Sequence, residues 1–329
     1  MKALVYTGVE MLNLCDVPDP VAGDGEVLVK IDSVGICGSD MHAFLGHDAR
    51  RPAPLILGHE AAGVIVGGAS DGVRVTLNPL VACGSCRACR AGRDNLCPKR
   101  QIISMPPREG GFAQFVAISE ANTVAVPAVV SLEKASLAEP IACGWHAVRL
   151  AQEALDVTLQ TARCLVIGGG AIGVGAALSL RAAGATEITV SEPNDMRRAY
   201  LLQHTDLTVI DPASLDKGSS FDLVIDGVGF AQTRATACAV TRPGGVIAHI
   251  GLGAAEGGVD VRRLTLQEIT FIGTYTYTAV DFRATAQAMF EGRLGPLDWF
   301  ETRPLAAGLQ AFDDIRKGQV RAPKIILKP

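Results

Sequence analysis

The pattern of apolar and polar positions divides the chain into two parts of different character. In roughly the first 140 residues, short apolar segments are separated by Gly, Pro and Asp, a pattern that predicts β-strands joined by turns. The predicted strands are Lys2–Tyr6, Glu26–Val34, Gly63–Val66, Val73–Leu77 and Phe112–Ile118. This part of the chain is therefore predicted to be β-rich.

After about Pro140, short apolar strands alternate with stretches of helical periodicity. The predicted strands here are Cys164–Ile167, Glu187–Val190, Leu207–Ile210, Asp222–Asp226, Val246–Ile250 and Ile269–Ile272. Helices are predicted from Ala171 to about Ala183, from about Asp195 to Gln203, and from about Ala231. Repeated β–α units predict an α/β fold, a parallel sheet with helices on both faces. A helix from about Asp281 to Glu291, a short amphipathic stretch and a strand over Lys324–Leu327 end the chain.

Length and composition restrict the function further. A chain of 329 residues exceeds the usual size of one hydrophobic core, so we expect two domains. The net charge of -4 argues against nucleic-acid binding and against a membrane surface as partners. The amino terminus has no apolar stretch typical of a signal peptide, and no run of about eighteen uncharged apolar residues occurs. Nine cysteines, an odd number, fit a reducing compartment, so we expect a cytoplasmic protein.

Four of the cysteines follow the spacing C-x2-C-x2-C-x7-C, namely Cys83, Cys86, Cys89 and Cys97. Zinc prefers a tetrahedron of four thiolates, and such a closed site leaves no position open for a substrate. The other five cysteines lie outside this short loop, which makes chance clustering a poor explanation. The spacing therefore predicts a structural zinc ion, and any catalytic centre has to lie elsewhere.

A glycine-rich turn joins a predicted strand to a predicted helix. Gly168, Gly170 and Gly173 form G-x-G-x-x-G, in which the glycines permit a tight turn and let the backbone approach a pyrophosphate. The amino terminus of the following helix supplies N–H donors and a favourable dipole. The motif alone is weak, but Glu192 ends the next strand about 20 residues later. A carboxylate there accepts hydrogen bonds from ribose hydroxyls, so the pair predicts a dinucleotide site.

The same carboxylate bears on the choice of cofactor. A negative charge at Glu192 repels a 2′-phosphate, so NAD is favoured over NADP. Arg197 and Arg198 follow about one helical turn later and weaken that inference. Either they lie on a solvated helix face, or they stack on the adenine or hold a phosphate.

Possible ligands for a second metal ion occur at three separated places. They are Cys37 in Cys37-Gly38-Ser39-Asp40, His59 with Glu60, and Glu139 before Pro140. Three protein ligands with one open position make a catalytic zinc site, where the ion acts as a Lewis acid. Taken singly, these residues are equally compatible with a buried cysteine, a core histidine and surface glutamates. Spacing alone does not join them.

Taken in order, the motifs resemble those of a known family. The series is C-G-S-D-x-H (Cys37 to His42), G-H-E-x-x-G (Gly58 to Gly63), the four cysteines, E-P (Glu139-Pro140) and G-G-G-A-I-G (Gly168 to Gly173). It resembles the zinc-containing medium-chain dehydrogenase/reductase family, and most closely its polyol (sorbitol-type) branch, from Met1 to Lys324–Leu327. The resemblance implies a β-rich, GroES-like catalytic domain of residues 1–141 and 280–329. It also implies a Rossmann NAD-binding domain, a doubly wound parallel sheet, of residues 142–279.

The resemblance further implies roles for single residues. Cys37 and His59 would bind a catalytic zinc ion, in addition to the structural one. Glu60 and Glu139 would be the remaining candidates, one bound directly and the other through water or by exchange. Asp40 would orient His59, which fixes the imidazole tautomer.

Proton transfer and cofactor contacts are implied in the same way. Ser39 and His42 match the family's proton relay. The implied NAD contacts are Gly168, Gly170, Ala171, Ile172, Gly173, Glu192, Arg197, Asp226, Ile250, Leu252, Thr274 and Tyr275.

The implied activity is hydride transfer between NAD and the carbinol carbon of a small polyol or secondary alcohol, in a homodimer or homotetramer. A threonine- or butanediol-type dehydrogenase of the same family is the alternative substrate assignment. Two other classes are a non-catalytic, zinc-stapled NAD-binding regulator and a zinc-free quinone-type reductase using NADPH.

Two segments leave the substrate open. Thr276 stands where sorbitol-type enzymes commonly carry an arginine. The loop His47–Arg51 either rims the cleft and favours a hydroxylated or anionic substrate, or its arginines, Arg50 and Arg51, are solvated.

Overall fold

A computed structural model describes residues 1–215 and 218–329. The strands of the first half are β1 (Lys2–Gly8), β2 (Met11–Asp16), β3 (Glu26–Gly35), β4 (Leu55–Ile56), β5 (Glu60–Val66), β6 (Arg74–Leu77), β7 (Leu80–Val81), β8 (Gln101–Ile102), β9 (Phe115–Ser119) and β10 (Thr123–Ala125). The later strands are β11 (Arg163–Ile167), β12 (Glu187–Ser191), β13 (Thr208–Ile210), β14 (Phe221–Asp226), β15 (Thr241–His249), β16 (Thr270–Gly273), β17 (Phe300–Pro304) and β18 (Lys324–Lys328).

The helices are α1 (Gly38–Phe44), α2 (Arg87–Arg90), α3 (Leu132–Ser136), α4 (Ala138–Ala154), α5 (Ala171–Ala182), α6 (Asp195–His204), α7 (Ala231–Val240), α8 (Val261–Leu266), α9 (Ala279–Phe290) and α10 (Gly308–Arg316). Short 3-10 turns lie between some of these elements. None of the helices within the described residues combines the length and hydropathy needed to cross a bilayer.

The first half of the chain forms a sheet in the order β10-β6-β5-β3-β18-β17, with β9 also paired to β3. The C-terminal strand β18 returns to this sheet and runs antiparallel to β3, with Ile326 opposite Gly35. On the other side of β3, the same Gly35 lies opposite Glu60 of β5. The start of β5 and the C-terminal strand are thereby brought together, and this contact shapes the candidate site. The predicted β-rich character is confirmed.

The second half forms a sheet in the order β13-β12-β11-β14-β15-β16, in which neighbouring strands are parallel. Its strands are apolar on both faces, as expected for a sheet covered by helices on both sides. Leu165 and Val224, for example, are fully buried. The strand order reverses between β11 and β14, where such sheets bind ligands outside the carboxyl ends of their strands. The predicted doubly wound sheet is confirmed.

Helix α4 has no counterpart among the predicted elements. Pro140 and Gly144 lower its intrinsic helix propensity, which hides the helix in the sequence. Pro140 is tolerated because it lies in the first turn, where a backbone N–H has no partner within the helix. Burial stabilises the helix, since Ile141 and Ala142 are fully buried in the core that α4 shares with α5.

One predicted strand begins later than expected. Regular pairing starts at Phe115 rather than Phe112, with Val29 opposite Val116. The backbone of Phe112 instead bonds to two other segments, since its N–H donates to the Leu57 carbonyl and its carbonyl accepts from the Leu4 N–H. Phe112 therefore ties β1 to the segment that precedes His59.

Candidate functional site

A cavity of about 510 Å³ lies between the two sheets. The first half of the chain contributes Cys37, Ser39, His42, His59 and the loop 47–51 to its wall, and α4 contributes Glu139 and Cys143. The segments that follow β14, β15 and β16 line the other side, at 227–230, 250–253 and 274–277. The cavity thus joins the predicted metal ligands to the ligand-binding edge of the parallel sheet.

Three of the predicted ligands meet at the floor of this cavity, where Cys37 and His59 line the wall and Glu60 is buried beside them. Cys37 precedes α1, His59 precedes β5 and Glu60 begins β5. The Sγ, ring nitrogen and carboxylate oxygen of these residues lie within 4.8 Å of one another. Thiolate, imidazole and carboxylate form a donor set that zinc accepts with a fourth position left open. These residues therefore fit a catalytic zinc ion.

His59 is held with one ring nitrogen toward the cavity. Its Nε2 atom lies 3.5 Å from Ser39 Oγ, and its Nδ1 atom lies 3.2 Å from Ser104 Oγ and 3.5 Å from Asp40 Oδ1. Burial alone would raise the pKa of Asp40, but His59 and the other groups around it hold that pKa below its usual range. An ionised carboxylate only accepts hydrogen bonds, so it favours a proton on Nδ1 and a free lone pair on Nε2.

Asp40 also fixes the backbone around the ligands. Its Oδ2 accepts from the Cys37 N–H at 3.0 Å, and its Oδ1 accepts from the Gly58 N–H at 3.2 Å. Asp40 thus lies next to His59, and its role in orienting that ring stays a prediction; Ser104 adds a contact that was not predicted. Nothing in the sequence around Ser104 signals this contact, which depends on how the β8 segment folds over His59.

Glu60 carries a counter-ion from the opposite end of the chain. Lys324 Nζ lies 2.7 Å from both carboxylate oxygens of Glu60 and donates to the Ile36 carbonyl at 2.8 Å. Glu60 is 1% exposed and Lys324 is 4% exposed. Burial would lower the pKa of Lys324, but Glu60 and Cys37 raise it above its usual range. Lys324 was predicted only as the start of a strand; the signal that could have marked it is a lysine at the beginning of an otherwise apolar terminal strand.

Glu139 lies beside the three ligands but, within residues 1–215 and 218–329, outside their group. Its Oε1 accepts a hydrogen bond from Tyr277 Oη at 2.7 Å. Burial raises the pKa of Glu139, and it raises the pKa of Cys143, one helical turn later, well above its usual range. Neither Tyr277 nor Cys143 was among the predicted site residues. The geometry favours Glu60 over Glu139 as the neighbour of Cys37 and His59.

The glycine turn fits a pyrophosphate. Gly168 has φ +103°, and a Cβ there would lie 2.5 Å from Val228 Cγ2. A Cβ on Gly173 would lie 1.8 Å from the Gly168 carbonyl oxygen, so α5 can approach the strand only with glycine at this position. A Cβ on Gly170 would have no described atom within 4 Å, which leaves open space before α5. Ala171 begins α5, and Ile172 lines the cavity.

The predicted cofactor carboxylates are buried and already bonded within the chain. Glu192 accepts from the Gly169 N–H at 2.8 Å and from the Asn194 N–H at 2.9 Å. Asp226 accepts from the N–H groups of Val228 and Gly229 at 3.0 and 2.9 Å. Both carboxylates therefore shape the turns at the edge of the parallel sheet, and their ribose contacts stay predictions.

The two arginines after Glu192 contact the protein. Arg197 Nη2 donates to the Val320 carbonyl at 3.1 Å, which links α6 to the C-terminal segment. Arg198 donates to the Glu192 carbonyl at 2.8 Å and forms an ion pair with Asp211 at 3.1 Å.

The four clustered cysteines come together as predicted. Their sulfur atoms lie within 4.8 Å of one another, with 3.5 Å between Cys86 and Cys89 and 3.9 Å between Cys83 and Cys89. Backbone N–H groups of Ser85 and Cys86 are the main cause of a Cys83 pKa of about 6, which favours the thiolate that binds a metal ion. Four thiols at these distances fit a structural zinc ion.

The four-cysteine loop also touches the cavity wall, a contact that the sequence analysis missed. Asn95, 3% exposed, donates to the Tyr275 carbonyl at 2.8 Å. Asp94 accepts from the Ala279 N–H at 2.9 Å, at the start of α9. The loop thereby holds the segment between β16 and α9, in which Tyr275 and Tyr277 line the cavity.

Comparisons with known proteins identify the family of the chain. The sequence model described as "Alcohol dehydrogenase GroES-like domain" matches residues 23–128, and the one described as "Zinc-binding dehydrogenase" matches residues 171–291. The chain is 33% identical to L-galactonate-5-dehydrogenase of Escherichia coli K12 over 290 residues, 84% of this chain and 83% of that protein. It is 32% identical to sorbitol dehydrogenase of Bacillus subtilis strain 168 over 297 residues, 84% and 82% of the two chains. The solved structure of L-idonate 5-dehydrogenase from E. coli K-12 MG1655 matches with a TM-score of 0.89 at 25% identity, covering 100% of this chain and 98% of that one.

Proposed function

Because this chain belongs to the zinc-containing medium-chain dehydrogenase/reductase family, and to its polyol branch, we propose that Cys37, His59 and Glu60 hold its catalytic zinc ion. The enzyme transfers a hydride between NAD and the carbinol carbon of a small polyol or secondary alcohol. The observation that carries the site assignment is the meeting of these three donor atoms within 4.8 Å in a cavity that also receives the edge of the parallel sheet.

Each residue at the floor has a distinct role in this proposal. When bound, zinc supplies a Lewis acid that lowers the pKa of a coordinated hydroxyl group. Asp40 and Ser104 hold the Nδ1 side of His59, and Lys324 offsets the charge of Glu60. Glu139 borders the open position, where its hydrogen bond from Tyr277 keeps the carboxylate in place.

The substrate proton leaves through Ser39 and His42. Both side chains line the cavity, and Ser39 Oγ lies 3.5 Å from His59 Nε2, the ring nitrogen that would hold the metal ion. His42 is half-buried, so its imidazole can exchange protons with solvent. A hydroxyl group followed by an imidazole is suited to proton transfer near neutral pH.

The glycine turn and the loops at the end of the parallel sheet hold NAD in this proposal. When bound, NAD supplies the hydride acceptor. Gly170 and the amino terminus of α5 face the pyrophosphate, and Glu192 faces the adenosine ribose. The nicotinamide would lie against the cavity wall formed by Ile172, Ile250, Leu252, Thr274 and Tyr275.

Glu192→Gln is expected to lower the NAD over NADP ratio of kcat/KM by about tenfold, because it removes the charge that repels a 2′-phosphate. Gln keeps one acceptor oxygen for the Gly169 N–H but loses the hydrogen bond from the Asn194 N–H; this loss affects both dinucleotides, so their ratio still reports the charge. The measurement is initial rates of cofactor reduction with each dinucleotide. Asp195→Ala removes an exposed carboxylate three residues later and serves as the control. An unchanged ratio in Glu192→Gln would contradict the assignment.

A panel of polyols and secondary alcohols with NAD, followed by the absorbance of NADH, tests the activity. Metal analysis of the same preparation is expected to give two zinc ions per chain. One zinc ion per chain would point instead to a regulator that keeps only the four-cysteine site, and none to a zinc-free reductase. Absence of NADH with every member of the panel, despite two zinc ions, would contradict the proposed function.

The domain boundaries remain part of the proposal. Residues 1–141 and 280–329 would form the catalytic domain, and residues 142–279 the NAD-binding domain. The pairing of β18 with β3 supports the assignment of the C-terminal segment to the catalytic domain.

We also propose a homodimer or homotetramer in the cytoplasm. Strand β16 ends the described order of the parallel sheet, so its outer edge can pair with a second copy. The odd number of cysteines, four of them clustered at zinc-binding distances, supports a reducing compartment.

A further inference from the structure

We propose that the substrate carries an anionic oxygen group, a carboxylate or a phosphate, besides the hydroxyl group that is oxidised, and that Arg50 binds this group at the cavity mouth. The mouth is the exposed part of the cavity wall at His47 and Arg50; Tyr275, which contacts Arg100, also lines the cavity. This inference rests on the proposed function, since it assigns the substrate class of the same site.

Asp48, Arg50 and Arg51 form a charged cluster on the loop 47–51 with one more positive than negative charge. Asp48 Oδ1 accepts from Arg50 Nε at 2.8 Å, and its Oδ2 accepts from Arg50 Nη2 at 2.9 Å and from Arg51 Nη1 at 2.5 Å. Burial would raise the pKa of Asp48, but the two arginines and the Arg50 N–H lower it to about 2, so the carboxylate stays ionised. Two guanidinium groups on one carboxylate give this part of the wall a net charge of about +1 near neutral pH.

Arg51 anchors the cluster to the floor of the cavity. It is 4% exposed, so the alternative that both arginines are solvated is wrong for Arg51. Its Nε atom donates to the Ser104 carbonyl at 3.0 Å, and Ser104 Oγ lies 3.2 Å from His59 Nδ1. Ser104 therefore contacts both the guanidinium group of Arg51 and the proposed zinc ligand His59. The position of the positive cluster is fixed relative to the place where the hydroxyl group reacts.

Arg50 extends from this anchor toward solvent. Its side chain is 57% exposed, whereas Asp48 is 7% exposed and holds it from below. A partly exposed guanidinium group with its orientation set by a buried carboxylate loses little conformational entropy when it binds an anion.

The part of the cavity wall formed by Tyr275 also offers a hydrogen-bond donor to an anion. Arg100 Nε donates to Tyr275 Oη at 3.3 Å, and its guanidinium carbon lies 4.9 Å from the centroid of the Tyr275 ring. Because that oxygen accepts from Arg100, the phenolic proton is free to donate to another group. Tyr275 and Arg50 line the same cavity.

Apart from Asp48, the carboxylates nearest to the cavity are Glu139, which lines it, and Glu60, which is buried beside Cys37 and His59. Glu60 and Glu139 are 1% and 6% exposed, and they already bond to Lys324 and Tyr277. The cavity therefore has an excess of positive charge at the mouth, where Arg50 and Arg51 share the single carboxylate of Asp48, and carboxylates that already have partners at the floor. A substrate whose hydroxyl group reaches the floor would place an anionic group at its far end against Arg50, where charge-assisted hydrogen bonds can form.

The test compares matched hexitols, hexonates and hexitol phosphates with the zinc-loaded enzyme and NAD. We expect kcat/KM for one anionic class to exceed that of the hexitol of the same configuration by about tenfold or more. The class with the higher value, carboxylate or phosphate, identifies the anionic group. Raising the ionic strength is expected to raise KM for the anionic members more than for the neutral ones.

Arg50→Gln is expected to bring the anionic over neutral ratio of kcat/KM close to one, mainly by raising KM, and Arg50→Lys is expected to restore part of the ratio. Arg262→Gln, which removes an exposed arginine on α8, is the matched control and should leave the ratio as it was. Thermal shifts caused by each anion are measured on the same proteins without turnover, and the shift should be lost in Arg50→Gln.

The outcomes separate the two proposals. A neutral alcohol oxidised at least as well as both anionic classes, with a ratio that Arg50→Gln does not change, would overturn the anionic-substrate inference and leave the dehydrogenase assignment in place. No NADH from any alcohol would overturn the proposed function. A stabilising shift by an anion that Arg50→Gln retains would overturn the role of Arg50.

Discussion

Cys37→Ser is expected to lower kcat/KM for alcohol oxidation by about three orders of magnitude or more, with the fold, NAD binding and the four-cysteine site retained. A serine hydroxyl stays protonated near neutral pH and is a poor zinc ligand, so one of the three donors that meet at the cavity floor is lost. Loss of a Lewis acid costs several kcal/mol of transition-state stabilisation, and each ~1.4 kcal/mol is a tenfold change in rate. Zinc content should fall from two ions to one per chain, while circular dichroism and NAD titration stay as in the original enzyme.

Cys143→Ser provides the matched control for this prediction. Cys143 lines the same cavity, but within the described residues it lies outside the group of Cys37, His59 and Glu60. This variant should keep both zinc ions. If Cys37→Ser retained two zinc ions and full activity, the assignment of the catalytic ligands would be wrong. Loss of the second zinc ion in Cys143→Ser instead would move the site toward α4.

The features that could be predicted from the sequence are those whose residues are close along the chain. The four cysteines lie within one loop, and the glycine turn joins one strand to the next helix, so local spacing carries the geometry. The parallel sheet follows from the repeated alternation of strands and helices, each of which is a local pattern. For the catalytic ligands, spacing alone was insufficient. Resemblance to a family connected Cys37 with His59.

The parts that could not be predicted depend on packing between distant segments. Tyr277 reaches Glu139 across 138 positions, and Asn95 reaches Tyr275 across 180. Neither pair has a local pattern that joins its members. Ser104 meets His59 because the segment after β8 takes a left-handed conformation, with φ +70° at a serine. Such a conformation is rare for residues other than glycine and has no reliable signal in a single sequence.

Lys324→Met is expected to lower the free energy of unfolding by about 3–5 kcal/mol, because it leaves the Glu60 carboxylate buried without its counter-ion. Lys324 also donates to the Ile36 carbonyl, which would lose a partner next to Cys37. The measurement is denaturant unfolding of zinc-loaded and chelated protein. A bound zinc ion would offset part of the charge of Glu60, so the loss should be smaller in the loaded protein. The variant would then bind zinc more tightly than the original protein, and a higher concentration of a competing chelator would be needed to release the ion.

Two further variants make this prediction specific. Lys328→Met removes two ion pairs from the same strand, with Asp32 at 2.6 Å and with Glu133 at 2.5 Å, but the three side chains are 28–41% exposed. Exposed pairs contribute about 0–1 kcal/mol, so this variant should cost far less than Lys324→Met. The double variant Lys324→Met with Glu60→Gln removes the uncompensated charge and should recover part of the lost stability. If Lys324→Met cost no more than Lys328→Met, the pair that joins β5 to the C-terminal strand would not hold Glu60 in place, and the geometry that favours Glu60 as the third ligand would lose its support.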